Sequence, residues 1–121
     1  MTFRISNTRL LDYKECYSLW AKERISIYKI PNILAERGVV NLKKAKSITP
    51  QAVWRAAWLY ALDNLDEARV DTAKLFTDRG LVLTDIDWYN EVLTKARQLM
   101  NRNQYRLYLD KHPILKEYVK K

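Results

Sequence analysis

Two glycines and three prolines, Gly38, Gly80, Pro31, Pro50 and Pro113, are all that this 121-residue chain contains. An all-β fold of that length needs turn residues about every 8–12 positions, so their scarcity argues for helices. Cysteine is scarcer still. Cys16 stands alone, which excludes an intramolecular disulfide and leaves a metal site without thiolate partners. A reducing interior is the expected compartment. The only histidine, His112, lies far along the chain, so Cys16 reads as a small buried hydrophobe rather than the nucleophile of a Cys–His pair. Apolar runs approaching the roughly 18 residues of a membrane span are also missing, and MTFRISNTRLL has no apolar core of signal-peptide length. A soluble, cytoplasmic protein is the expectation.

What is present is enough for one core. Hydrophobic residues make up 48% of the chain, aromatic residues 12% and charged residues 30%, a balance that disordered segments, poor in aromatics, do not show. The reading is an all-α fold with a single domain over residues 1–121, folded nearly end to end. Net charge is +8, which favours a polyanionic partner through long-range attraction. It is unevenly spread: residues 1–63 carry 11 Lys and Arg against 5 Asp and Glu, net +6, and residues 64–121 carry 11 against 9, net +2. The first half is therefore the candidate contact lobe.

Along the chain, Leu10, Tyr13, Tyr17 and Trp20 recur at helical steps and predict a helix over about 11–24. In SIYKIPNILAERG, Ser26 is a candidate cap, Ile27, Ile30 and Leu34 repeat at helical spacing, and Gly38 supplies a left-handed stop. Pro31 sets the start of this short helix near Ile30, since proline costs little only in the first turn. Val39 to Ile48 lacks helical spacing and reads as a turn or a small β-ribbon. Thr49 and Pro50 then form a strong start signal for a helix over about 50–63. Its Val53, Trp54, Ala57, Tyr60 and Ala61 share one side, with Gln51, Ala52 and Arg55 opposite. Leu59 and Leu62 lie on that opposite side further on, so the C-terminal half of the chain is expected to supply a second cover. Asn64 is read as the cap of a fourth helix ending at Arg79 and Gly80. TDIDWYNEVLTKARQLMN has the clearest amphipathic pattern, and two shorter helices follow on either side of Pro113.

Ser26-Ile27-x-x-Ile30-Pro31-x-x-Leu34-x-x-Arg37-Gly38-Val39 resembles the second helix and turn of the helix-turn-helix modules of serine recombinases and related mobile-element proteins, where S-x-x-x-I-A-x-x-L-N-x-R-G-I is common. Lys46-Ser47-Ile48-Thr49 followed by Val53 is similar to the basic loop and W-[ST]-x-x-x-V start of their recognition helix. The resemblance covers residues 10–62 and implies duplex DNA binding. It departs from the family pattern at Pro31 and Ile48, and no recombinase catalytic domain precedes the module, so recombination chemistry is not implied.

The residues themselves lead the same way. Major-groove readout needs a helix with a polar first turn and a supported opposite side. Thr49, Gln51 and Arg55 are the candidate readers: Gln51 suits a bidentate contact to adenine, and Arg55 one to guanine or a phosphate. Lys43, Lys44 and Lys46 are the candidate phosphate contacts, adding affinity without sequence choice. Trp54 and Trp58 have the spacing of packing residues rather than of a single-strand stacking platform. Asp85 and Asp87 read as helix-start residues rather than metal ligands. Arg102, Arg106 and Lys111 read as a solvated face. No cofactor, small-molecule substrate or catalytic residue is expected.

The predicted role is that of a small accessory or regulatory protein of a phage or mobile element. One recognition helix reads few base pairs, so a homodimer is the common solution, with residues 85–100 serving either self-association or, more simply, the intramolecular core. Two rivals stand beside it. One is a helical adaptor whose basic face meets an acidic protein; the other is DNA recognition in packaging, on an architectural analogy with phage small terminase subunits.

Overall fold

The computed structural model describes residues 9–40 and 48–119. Along the chain run β1 (Arg9–Leu10), α1 (Tyr13–Tyr17), a π-helical turn (Ser18–Lys22), α2 (Ile30–Glu36), β2 (Val39–Val40), α3 (Pro50–Asp63), α4 (Leu65–Asp78), α5 (Asp85–Leu99), α6 (Arg102–Lys111) and α7 (Pro113–Val119). The fold is mostly helical, as the shortage of turn residues predicts. None of the helices among the described residues is long and apolar enough to cross a membrane. The chain divides into two compact units, Met1–Asn64 and Leu65–Lys121.

In the first unit, Asp12 opens α1 by accepting the Lys14 N–H on its carboxylate at 3.2 Å. Regular helix lasts only to Tyr17. The next turn widens, with the Glu23 N–H reaching Ser18 O at 2.9 Å and the Ile25 N–H reaching Leu19 O at 2.9 Å, and the chain leaves through Arg24 at φ 60. A wider repeat rotates the residues beyond Tyr17, which corrects the expected stripe. Cys16, Tyr17, Leu19 and Ala21 are buried, while Tyr13 is half exposed. Ser26 does not cap α2. Its hydroxyl accepts the Tyr28 N–H and its carbonyl accepts from Lys29 and Ile30, building a separate turn ahead of the helix, and Lys29 occupies the cap position without a side-chain bond. Pro31 sits in the first turn, where a missing N–H leaves no partner unmet.

α2 stops at Gly38, whose φ of 79 a residue with a Cβ adopts only under strain. The Gly38 N–H returns to Ala35 O at 3.1 Å. β2 follows and pairs in parallel with β1, Arg9 opposite Val39 and Leu10 opposite Val40. A parallel pair cannot be closed by a tight turn, and here α1 and α2 form the connection. Of the stretch read as a turn or a small β-ribbon, Val39 and Val40 are extended with a remote partner, and residues 41–47 lie outside the described residues. α3 carries the core: Val53, Ala57, Ala61 and Leu62 are fully enclosed, α1 packs along it and α2 touches it more lightly. Tyr17 faces Tyr60 with centroids 4.7 Å apart, and Trp20 faces Trp58 at 5.5 Å.

Asn64 closes α3. Its Nδ2 donates to Tyr60 O at 2.9 Å, because a carbonyl left without an intrahelical donor lies within reach of that side chain.

In the second unit, α4 ends in a Schellman turn around Gly80 at φ 75, with the Leu81 N–H on Phe76 O and the Gly80 N–H on Thr77 O, each at 2.9 Å. Arg69 of α4 reaches the far side of that turn, donating to Leu83 O and Thr84 O and pairing with Asp85 at 2.9 Å. Thr84 caps α5 by accepting the Asp87 N–H at 3.1 Å. Trp88, Val92, Leu93, Ala96 and Leu99 of α5 are all buried, so the stripe offered to self-association or to a core lies in the core. α5, α6 and α7 pack on one another. A reciprocal capping box joins Asn101 and Gln104 at the start of α6.

Candidate nucleic-acid interface

The candidate surface is the first two turns of α3. Thr49 is extended, and its Oγ1 accepts the Ala52 N–H at 3.1 Å, supplying one of the donors at the helix start with an acceptor. Pro50 follows at the first helical position. Gln51 and Arg55, both exposed, lie one turn apart on one face, about 6 Å along the axis. No hydrogen bond or ion pair engages either side chain among the described residues.

What holds this face outward is the opposite side. Val53 and Ala57 have no exposure and Ala56 1%. Rotating α3 to hide Gln51 would expose those side chains, Val53 alone being worth about 1.5–3 kcal/mol of burial. Trp58, two turns beyond Gln51 on the same side of α3, is buried and packs on Trp20. Trp54 is half buried.

The remaining candidates divide. Lys43, Lys44 and Lys46 lie outside the described residues. Arg37, inside the motif that carries the resemblance, is paired with Glu15 at 3.0 Å and ties the end of α2 to α1. Lys22 sits 5.9 Å over the Tyr17 ring. In the second unit Arg102, Arg106 and Lys111 are exposed, with Arg106 donating to Asn103 at 2.8 Å. Among the described residues no three His, Cys, Asp or Glu side chains gather as metal ligands would.

One feature of this region is not evident in the motif. An open, mainly apolar hollow of about 260 Å³ is lined by Ile27, Tyr28, Pro50, Gln51 and Trp54. Tyr28 is 78% exposed. Ile30 is buried, whereas Ile27 is half-buried and Tyr28 exposed on the separate turn ahead of α2, so both line the hollow.

No protein-family model matches the chain, and neither the curated proteins nor the solved structures give a match.

Proposed function

We propose that the first unit binds duplex DNA as a helix-turn-helix, α2 and α3 forming the pair, α1 supporting them, and the N-terminal turns of α3 entering the major groove. One observation carries the reading: Thr49, Gln51 and Arg55 are exposed on the first turns of a helix that is held from the other side by the buried Val53, Ala56 and Ala57. A groove about 12 Å wide admits such a helix, and an amide and a guanidinium one turn apart match the donors and acceptors of base edges. Lys43, Lys44 and Lys46, directly before this helix in the chain, supply phosphate contacts, in line with the +8 net charge. The protein acts as a small accessory or regulatory factor, with two copies reading two half-sites.

Duplex affinity measured as a function of salt tests this. Binding that falls steeply between about 50 and 200 mM salt supports it, because each neutralised phosphate releases counterions. Copurification with a stoichiometric acidic protein, together with no retention by any duplex, overturns it in favour of an adaptor.

A further inference from the structure

The geometry points to the hollow beside Gln51 as a receptor for the C5-methyl group of thymine, making the site a reader of A·T pairs. The inference rests on the duplex-binding reading and names what that site selects.

Two halves of one surface are complementary to two halves of one base pair. In the major groove an A·T pair presents the adenine N7 acceptor and N6 donor, then the thymine O4 acceptor and the C5-methyl. Gln51 supplies an amide for the adenine edge, and it also forms one wall of the hollow. The other walls, Ile27, Tyr28, Pro50 and Trp54, are the apolar surfaces a methyl group prefers to water. A G·C pair presents a bare C5 on its cytosine and leaves the hollow filled with water. Tyr28 contributes the decisive surface. Its ring is 78% exposed, an arrangement that costs apolar hydration unless a ligand covers it. Charge favours the same occupant, since residues 1–63 carry a net +6 and draw the polyanion to this half of the chain.

The test uses the full chain and two duplexes: the one it enriches from a randomised pool, and the same sequence synthesised with deoxyuridine for thymidine. Wild type is expected to bind the deoxyuridine duplex about fourfold more weakly for each methyl the hollow receives. Tyr28→Ala is expected to bind the thymidine duplex less tightly and to distinguish the two poorly. Because Tyr28 is so exposed, that variant should keep the helical signal of wild type. Salt-dependent duplex binding that is equal on both duplexes overturns the methyl receptor and leaves the duplex reading standing. Undiminished discrimination by Tyr28→Ala overturns it too, by locating the methyl contact elsewhere. Retention by no duplex sinks both.

Discussion

Thr49 accepts the Ala52 N–H at 3.1 Å immediately before Pro50, so the start of α3 is fixed by a side-chain cap and by a residue whose φ is already helical. Thr49→Ala removes the cap alone. A loss of about 1 kcal/mol in denaturant unfolding is expected, and duplex affinity should fall because the first turn, where Gln51 stands, frays. Thr49→Ser should restore both.

Gln51 and Arg55 occupy one exposed face but are expected to fail differently. Gln51→Ala should weaken discrimination at one base pair by about 1–3 kcal/mol with little effect on other sequences. Arg55→Ala should change which sequence is preferred. An equal loss on every duplex would mark Arg55 as a phosphate contact. Neither substitution should move the unfolding midpoint, since neither side chain is packed.

The lysines before α3 are expected to act through salt. Lys43→Ala with Lys44→Ala should reduce the slope of log affinity against log salt by about 2, since each lysine that no longer neutralises a phosphate lowers it by close to one. The preferred sequence should stay the same. A changed preference with an unchanged slope would assign the pair to base readout instead.

The legible parts of this fold are those decided within a few residues. Thr49-Pro50 marks the start of α3, Gly38 and Gly80 mark stops at φ 79 and 75, and the Trp88 to Leu99 stripe is buried as its spacing demands. Decisions that depend on distant partners were not legible. The π-helical turn at Ser18–Lys22 has no local signature, and within it Leu19 and Ala21 are buried while Trp20 of the expected stripe is half-buried. The β2 partner lies far back in the chain, at Arg9 opposite Val39. Asn64 illustrates a local ambiguity: between two helices one residue apart, an amide can serve the carbonyls behind it or the N–H groups ahead, and here it donates to Tyr60 O. At the candidate site, the exposed readers followed from the helical pattern, whereas the hollow required Ile27 and Tyr28 to be brought beside Pro50 and Trp54.

Trp58 tests the division between core and interface. At 5% exposure and 5.5 Å from the Trp20 ring, it should behave as a packing residue. Trp58→Ala is expected to cost about 3–5 kcal/mol in stability, whereas Trp58→Phe should cost less. A Trp58→Phe protein that remains folded should retain its duplex affinity. Loss of binding without loss of fold would instead give this ring a place at the surface.

Cys16 offers a probe of the first unit that is independent of any ligand. Burial, then the carboxylates of Glu15 and Asp12, push its thiol up from 9.0 to about 12, and the side chain has no exposure. The thiolate is the reactive form, so a maleimide should label the folded protein at neutral pH only as fast as the unit opens, and unfolded protein at the rate of a free thiol. The linkage has a definite sign. A folded-state pKa above the unfolded one means that the fold favours the neutral thiol, so this contribution to stability is complete below pH 9 and is lost as pH rises from 9 toward about 12. Comparing wild type with Cys16→Ala cancels the tyrosine ionisations common to both. The expected result is a steeper alkaline decline in stability for wild type, and parallel curves would mean that the thiol reaches water in the folded state.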